Sequence, residues 1–434
     1  MKESIKKRIE AVRRGEVPEG YDETAAGIIP ADWSCTPLSA ISEVISETAG
    51  DRNFETLSIS AGIGFVNQAE KFGKELSGKQ YAKYTVLRRG DFAYNKGNSK
   101  RYPQGCTYML KEQEDAAVPN VFECFRIICG QPEYYEQLFI HGFMNKQLTR
   151  KINHGVRDDG LLNLTEEDFY STDIPVPPLT EQQKIAEILA TCDRMIELKQ
   201  QLVNEYKKTK KVFLRRLFPT QGANVPELRF PGFKGEWRKC QLGELSDFIT
   251  KGATPTTYGY HWETTGIPFF RNDSIQNNRF VYGAYSFISE TVHKALSRSE
   301  IKGDDILIAI TGDIGKVGIV PKDVIRGNIN QHMARVRIIK DALPFFIYQY
   351  LSTATMQNNY QVIKTGISMP QLSLEQIRNT EILLPSLAEQ QCIASCLKNL
   401  DEAIELRLQE VEKVQRGKKA LMQLLLTGLV RVNA

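Results

Sequence analysis

Residues 177–191 read PPLTEQQKIAEILAT, and residues 385–399 read PSLAEQQCIASCLKN. The Glu-Gln-Gln triplet that begins at Glu181 therefore recurs at Glu389, an offset of 208 residues. Internal repetition is the first feature to establish in a sequence, because it decides the architecture. A chain built from two similar halves is expected to recognise something that also has two similar halves.

Both copies continue into a long apolar seam. The apolar residues follow at alternating steps of four and three, which gives the 3.5-residue period of a coiled coil. Ten residues define the seam, namely Ile185, Leu189, Ile196, Val203 and Phe213 in the first copy, and Ile393, Leu397, Ile404, Val411 and Leu421 in the second. Further apolar residues, such as Cys192 and Leu400, fill steps between them. Basic residues interrupt it at matching places, Lys199 with Arg407 and Lys210 with Lys418. Shared interruptions indicate one duplicated helix, and two copies in one chain are expected to pack antiparallel on each other.

Each helix also has a start signal. Thr180 with Gln183 has the pattern of a capping box, and Ser386 with Glu389 offers a similar start two residues earlier in the repeat. A helix over residues 180–217 would be roughly 57 Å long at about 1.5 Å per residue.

The repeat extends upstream of the helices. WSCTPL at residues 33–38 resembles WRKCQL at 237–242, and the tripeptide at residues 89–91 (RGD) resembles that at 302–304 (KGD). Short β-branched runs separated by Gly and Pro, followed by helical patches, indicate mixed heads that diverge between the halves. We predict an α+β fold with two globular heads held apart by two long antiparallel helices. These helices would form an intramolecular coiled coil with an internal pseudo-two-fold repeat.

Composition narrows the class of protein. The 434 residues are 41% hydrophobic and 25% charged, with a formal net charge of +4, which permits nucleic-acid binding without demonstrating it. The sequence contains neither a run of 18 apolar residues nor the apolar stretch of a signal peptide. The eight cysteines form no C-x-x-C pair, so no zinc site is predicted. A cytoplasmic protein without a membrane partner is expected.

Catalytic motifs are missing from the sequence. We find neither the Gly-rich turn and Asp/Asn-Pro-Pro-aromatic loop of an amino-methyltransferase nor a P-loop, because residue 310 is Ile and Val317 follows Lys316. The segment Gly312–Lys316 is better explained as a turn between two strands. We therefore expect no catalytic residue, no metal and no cofactor in this chain.

Several segments resemble one family closely. PELRFPGF at residues 226–233 with Trp237, GIIPADW at 27–33, TKGATPTTYGYHWETTGIPFFRNDSI at 250–275 and the two EQQ helices are similar to the specificity subunits of Type I restriction–modification systems. The resemblance covers nearly the whole chain, and the order and duplication of these motifs are highly specific.

This resemblance implies a division of labour. Each head would be a target recognition domain that reads one half of a split sequence in double-stranded DNA. The helices would fix the spacing and dock two modification subunits, which carry S-adenosylmethionine and methylate adenine. Restriction subunits, ATP-dependent motor-nucleases, would complete the bacterial or archaeal complex. The chain itself would be a non-catalytic subunit.

The expected domain order follows from the repeat and the resemblance. It comprises an N-terminal segment (1–27), a first target recognition domain (28–175), a first spacer helix region (176–218), a linker (219–236), a second target recognition domain (237–384) and a second spacer helix region (385–434). Two alternatives stay open, namely a decoy subunit that binds modification subunits without reading DNA, and part of a combined methylase-nuclease.

DNA contacts are expected from Lys and Arg on phosphates and from Arg, Asn, Ser and Thr on base edges. Polar, cationic loops in the two heads supply the candidates, although any one of them could equally be a solvated loop. In the first head the candidates are Lys96, Asn98, Ser99, Lys100, Arg101, Lys151, Asn153 and Arg157. In the second they are Lys251, Thr254, Thr256, Arg271, Asn272 and Lys364.

Overall fold

A computed structural model describes residues 3–73, 78–97, 102–152, 161–283, 285–339, 341–366 and 370–432. The chain divides into two compact units. Unit 1 comprises Met1–Lys199 with Glu410–Ala434, and unit 2 comprises Gln200–Gln409. Each unit therefore contains one head, the N-terminal half of one long helix and the C-terminal half of the other.

Unit 1 contains short strands and short helices that precede the first long helix in sequence. Its strands in the described residues are β1 (Tyr21–Thr24), β2 (Gly27–Pro30), β3 (Ser34–Pro37), β4 (Ser42–Val44), β5 (Leu57–Ser60), β6 (Gly64–Asn67), β7 (Thr85–Arg88), β8 (Phe92–Asn95), β9 (Cys106–Met109), β10 (Asp115–Val118), β11 (Glu123–Ile127) and β12 (Asp173–Val176). Its short helices are α1 (Glu3–Arg13), α2 (Gln68–Phe72), α3 (Pro132–Ile140), α4 (Asn145–Lys151) and α5 (Glu166–Tyr170), with 3-10 turns at Leu38–Ala40 and Gly78–Lys83.

The first long helix, α6, spans Leu179–Arg216. Beyond it, unit 2 contains β13 (Arg238–Gln241), β14 (Thr250–Lys251), β15 (Ile267–Phe270), β16 (Ile275–Gln276), β17 (Arg279–Phe280), β18 (Ser286–Ile288), β19 (Glu300–Ile301), β20 (Ile306–Ala309), β21 (Val317–Ile319), β22 (Gly327–Ile329), β23 (Met333–Val336) and β24 (Glu381–Leu384). Its helices are α7 (Glu290–Ala295), α8 (Pro344–Leu351), α9 (Ala354–Ile363) and α10 (Leu374–Arg378), with 3-10 turns at Pro255–Tyr258, Asn272–Ser274 and Ser297–Ser299. The second long helix, α11, spans Leu387–Leu426.

Each head contains its own four-stranded antiparallel sheet, and the strand order corresponds between the two heads. The strand order is β4-β11-β8-β9 in unit 1 and β14-β23-β20-β21 in unit 2. In each unit a two-stranded ladder, β3 with β12 or β13 with β24, joins the start of the head to the strand before the long helix. Unit 2 adds a second four-stranded sheet, β18-β15-β22-β19. The two heads therefore have a corresponding central sheet but differ in the strands that surround it.

The start signals of the two long helices differ. Ser386 Oγ accepts a hydrogen bond from the backbone N–H of Glu389 at 3.4 Å, which confirms the predicted cap of α11. Thr180, by contrast, lies inside α6, so the predicted cap there is wrong. The carbonyl of Pro178 accepts the first helical N–H groups, those of Glu181 and Gln182, at 2.9 and 3.0 Å. Pro178 occupies the repeat position of Ser386.

Three of the basic interruptions of the apolar seam, Lys199, Lys210 and Lys418, form ion pairs, and these pairs show that the helices run antiparallel. In unit 1, Lys418 pairs with Asp193 at 2.6 Å and Lys199 pairs with Glu410 at 2.8 Å. In unit 2, Lys210 pairs with Asp401 at 2.8 Å. Within unit 1 the partner's residue number falls as the α6 number rises, as it must between antiparallel helices.

The predicted seam is buried in most of its length. Seven of its ten residues are at most 4% exposed, namely Ile185, Leu189, Val203, Ile393, Leu397, Ile404 and Val411. Ile196 and Phe213 are half-buried. Leu421 is 37% exposed while its neighbour Met422 is 5% exposed, so the prediction is wrong at that position. A straight α-helix drifts from a 3.5-residue repeat, and by this turn the buried face has moved by one residue.

The hydrophobic core of each head includes side chains from the start of one long helix and from the C-terminal end of the other. The head of unit 1 packs on Ile185 and Leu189 of α6 and on Leu425 of α11. The head of unit 2 packs on the repeat equivalents, Ile393 and Leu397 of α11, and on Leu217. Each head therefore packs against the start of the long helix that follows it in sequence and against the end of the other long helix. In the described residues, no helix has the length and apolar character needed to cross a membrane.

We predict that Leu189→Ala lowers the free energy of unfolding by about 2–5 kcal/mol, because it opens a cavity in a core where Leu189 is fully buried. Leu198→Ala on the same helix is the matched control, since Leu198 is 49% exposed and its truncation should change stability by less than about 1 kcal/mol. Urea unfolding followed by circular dichroism measures both variants. Equal losses would show that α6 does not pack as described.

Candidate nucleic-acid interface

A buried carboxylate locks the central sheet of each head. Asp91 lies just before β8, is 1% exposed, and accepts two bonds from Arg126 at 2.7 and 2.9 Å and one from the N–H of Arg88 at 2.7 Å. A bidentate guanidinium–carboxylate pair with a backbone bond is a strong, geometrically specific arrangement. It fixes the turn from which the β8–β9 hairpin begins.

The same lock occurs in unit 2. Asp305 is 1% exposed and accepts two bonds from Arg337, both at 2.7 Å, and one from the N–H of Lys302 at 2.9 Å. The sequence comparison aligned Asp91 with Asp304, which is wrong by one residue. Asp304 instead occupies a left-handed turn with φ of 67°. The two turns have the same length, but Asp304 takes the left-handed position that Gly90 takes in unit 1, so aligning the two Gly-Asp pairs shifts the register by one residue.

The candidate loops of the first head begin beside the β8–β9 hairpin. The N–H of Leu162 donates to the carbonyl of Lys96 at 2.9 Å, and Gly97 forms an isolated bridge with Leu161. Lys96 and Gly97, which follow β8, therefore lie beside Leu161 and Leu162. Six candidates, Asn98, Ser99, Lys100, Arg101, Asn153 and Arg157, lie outside the described residues.

The two described candidates of the first head hold internal contacts. Lys96 forms an ion pair with Glu123, and the side chain of Lys96 is only 14% exposed. The Lys151 ammonium donates to the carbonyl of Asp168 at 3.1 Å and to Ser171 Oγ at 2.6 Å. Either lysine would have to exchange these contacts to reach a phosphate, so their DNA contacts stay predictions.

The second head has a similar hairpin turn. The predicted turn at Gly312–Lys316 joins β20 to β21. Its carbonyl oxygens at Gly315 and Ile314 accept bonds from Gln357 and Gln361 of α9, at 2.6 and 3.1 Å. Lys364 follows α9, is exposed, and contacts Gln361 at 3.1 Å. This candidate therefore lies beside the turn.

The remaining candidates of the second head lie on the loops around β14 and β15. Lys251 and Thr256 are exposed, while Thr254 bonds to Gln331. Between them, Gly252 is required, because a Cβ there would lie 2.0 Å from the carbonyl oxygen of Ile329.

The exposed Arg271 guanidinium lies 5.2 Å from the centre of the Trp262 ring and donates to Ser286 Oγ at 3.0 Å. The neighbouring Asn272 is exposed and begins a 3-10 turn. A guanidinium stacked on an indole is pre-oriented at low entropic cost.

Sequence reasoning found the Glu-Gln-Gln triplets without giving them a function. In unit 1, Glu181 accepts two bonds from Arg431, at 2.8 and 2.7 Å, and one from the indole N–H of Trp33 at 3.0 Å. In unit 2, Glu389 accepts two bonds from Arg229, at 2.8 and 2.7 Å. Each glutamate also lies in the first turn of its helix, where the helix dipole favours a negative charge.

The middle glutamine of each triplet joins helix to head. Gln182 accepts from the N–H of Gln131 at 2.8 Å and donates to the carbonyl of Pro177 at 2.8 Å. Gln390 accepts from the N–H of Leu343 at 2.9 Å and donates to the carbonyl of Pro385 at 3.0 Å. The triplet thus fixes the angle at which each head leaves its helix. A buried glutamate requires a cationic or hydrogen-bonding partner, so the sequence could have indicated that arginines such as Arg229 and Arg431 pair with the triplets.

The ion pairs between the long helices extend into the heads. Asp401 accepts from Lys210, from Gln349 of α8 at 2.9 Å and from Arg279 of β17 at 2.7 Å. Burial lowers the pKa of the Lys210 ammonium, and the Asp401 carboxylate opposes this shift. In the described residues, no group of three or more His, Cys, Asp or Glu side chains could hold a metal ion.

The family of the Type I restriction modification DNA specificity domain matches residues 127–208 and 234–416. The chain belongs to this family. The two matched segments include both Glu-Gln-Gln triplets and the whole of the second head.

Known relatives agree with this assignment. A Methanocaldococcus jannaschii protein, provisionally named as the specificity subunit of the type I restriction enzyme MjaX, is 25% identical over 442 residues, covering 96% of this chain and 97% of the relative.

Two solved structures have a similar fold. One is a chain from a study of complex assembly and conformational transition of the type I R-M system, with 18% identity, a TM-score of 0.56, and coverage of 93% of this chain and 99% of that chain. The other is the S subunit of a Type I restriction-modification system from M. genitalium, with 13% identity, a TM-score of 0.55, and coverage of 91% and 96%. These likenesses confirm the predicted α+β fold with its pair of long helices.

We predict that Glu389→Gln lowers the free energy of unfolding by about 3–5 kcal/mol, because it leaves the Arg229 guanidinium, 18% exposed, without its carboxylate. Glu402→Gln on the same helix is the matched control. Its pair with Lys398 is exposed and should contribute at most about 1 kcal/mol. Calorimetry of both variants tests the difference, and an unperturbed Glu389→Gln variant would contradict the anchoring function of the triplet.

We also predict that Lys251→Ala and Lys364→Ala each weaken DNA binding and reduce the log–log salt slope by roughly one unit per lost phosphate contact. Lys398→Ala serves as a control, because Lys398 is an exposed lysine on α11 outside both loops. Fluorescence anisotropy with duplex DNA at several salt concentrations gives the slopes. Slopes equal to that of the wild type would place the DNA on other loops.

Proposed function

We propose that this chain is the DNA-reading subunit of a Type I restriction–modification complex, and that each unit reads one half of a bipartite target. One observation carries the proposal. The two units share the same sheet order and the same Asp–Arg lock, yet they differ in the loops that surround the sheet. A constant frame with variable loops is the arrangement expected of two readers with different targets.

The polar loops supply the chemistry for this function. Exposed Lys251 and Lys364 suit phosphates, while Arg271 and Asn272 suit base edges in the major groove. Non-catalytic binding fits these groups, since they offer donors and acceptors without a nucleophile–base pair. Adenine methylation with S-adenosylmethionine, and ATP-driven translocation and cleavage, would then belong to the partner subunits.

Two modification subunits per chain fit the internal repeat. Each unit presents the start of one long helix and the end of the other, held by equivalent ion pairs. A partner that recognises this combination would find it twice. We therefore assign one modification subunit to each unit.

We predict that exchanging residues 28–160 for the matching segment of a relative with another target changes only one half of the methylated sequence. The reason is that each head has its own core and its own loops. Methylation mapping by long-read sequencing, in cells that express the chain with its modification subunit, identifies both halves. The reciprocal exchange within residues 237–384 is the control and should change the other half. Alteration of both halves by either exchange would refute independent readers, and a chain that supports no methylation in any form would favour the decoy.

A further inference from the structure

The two units differ at one carboxylate. In unit 2, Asp401 is surrounded by donors: Lys210 contacts both oxygens at 2.8 Å, Gln349 donates at 2.9 Å, and the guanidinium of Arg279 donates at 2.7 Å. Arg279 comes from the β16–β17 hairpin. This hairpin contacts α8 through a hydrogen bond that the Tyr348 hydroxyl donates to the Asn278 carbonyl at 2.5 Å. The side chain of Asp401 is 20% exposed as a result.

In unit 1 no guanidinium of the described residues donates to the equivalent carboxylate. Asp193, at the repeat position of Asp401, accepts from Lys418 at 2.6 and 2.7 Å and from Gln137 at 3.1 Å, and these are its side-chain partners in the described residues. Its side chain is 45% exposed. Lys418 and Gln137 correspond to Lys210 and Gln349, so three of the four members of the unit 2 cluster are present.

Open cavities lie beside Asp193. Two concave spaces of about 500 and 380 Å³ meet at Asp193 and Gln137. The larger one is lined by aromatic rings that include Tyr102 and Tyr108. The smaller one is lined by Glu133, Glu136 and Glu197, together with Lys111 and Arg194.

The two acidic residues of α3 replace apolar ones. Glu133 and Glu136 occupy the positions that Phe345 and Tyr348 take on α8, where the unit 2 hairpin packs. Lys111 forms an ion pair with Glu136 at 2.6 Å, and Glu136 is 6% exposed in that pair. The two spaces together are lined by four carboxylates and by the cations Lys111, Arg194 and Lys418, and this excess of one negative charge favours a cationic occupant.

The cavity wall also contains a buried acceptor. Gln137 is 4% exposed, and its Oε1 has no hydrogen-bond partner in the described residues. Gln349 Oε1 is unpaired in the same way, so this atom does not by itself distinguish the units. The acceptor for a cation is therefore the half-exposed Asp193 carboxylate, and a planar guanidinium is suited to it, as Arg279 is to Asp401 in unit 2.

We propose that the cavity at Asp193 receives an arginine side chain of the modification subunit that docks on unit 1, in the place that Arg279 fills in unit 2. This inference rests on the proposed function and adds to it. The chain supplies its own arginine at one docking site and requires the partner's arginine at the other. The two modification subunits therefore bind unequally.

The experiment titrates the modification subunit into the full-length chain and counts bound copies by native mass spectrometry, with affinities from calorimetry. Asp193→Asn should weaken one of the two binding events about tenfold or more, the loss expected when a charged hydrogen bond is removed, and leave the other unchanged. Glu187→Gln, an exposed acidic position on α6 whose side chain is 68% exposed, is the matched control and should leave both events unchanged.

A second variant guards against misfolding. Glu197→Gln lines the cavity from an exposed pair with Arg194 and should weaken the same event about threefold while the chain stays folded, as checked by circular dichroism. If two modification subunits bind Asp193→Asn and Glu197→Gln as tightly as the wild type, the inference is overturned and the proposed function stands. If the wild-type chain never binds a second modification subunit, the proposed two-fold docking and this inference fail together.

Discussion

The Asp–Lys ion pair between the long helices is the constraint on which the rest of the structure depends. Lys210 with Asp401 and Lys418 with Asp193 are related by the same 208-residue offset as the sequence repeat, so one antiparallel register satisfies both pairs. Burial lowers the pKa of the Lys210 ammonium, and the Asp401 carboxylate opposes this shift and so favours the charged lysine. A slip along the apolar seam would preserve hydrophobic contacts and leave buried charges without partners. The polar pairs therefore select the register, as single polar positions do in other coiled coils.

The Glu-Gln-Gln triplets transfer this register to the heads. Each triplet bonds a long helix at its first turn to the backbone of its own head and to an arginine beyond the end of the other long helix. Arg229 lies in the connector and Arg431 near the end of the chain, so two unrelated segments perform one task. The loops that carry the DNA-binding candidates then vary on heads whose attachment is constant. Constant attachment with variable loops is how one scaffold can serve many targets.

Much of the architecture follows from the sequence because it is carried by periodicity and duplication. The seam period predicts long helices, and seven of its ten positions are buried as a coiled coil requires. Local chemistry is harder to predict. Thr180 looks like a cap, but the carbonyl of Pro178 already accepts the first N–H groups of α6. Asp304 aligns with Asp91 through the neighbouring glycines, yet Asp304 takes the left-handed position of Gly90, and Asp305 takes the structural position of Asp91. Lys96 has the residue type of a phosphate ligand, and its ion pair with Glu123 depends on a strand far away in sequence.

The most direct test of two readers in one chain is to map methylation across a genome that expresses the wild-type chain with its modification subunit. Two different heads on one fixed scaffold predict a single motif made of two dissimilar half-sites, separated by a constant number of unspecified bases. A continuous motif, or a palindrome with identical halves, would contradict the account, because identical half-sites would mean that both heads read the same sequence.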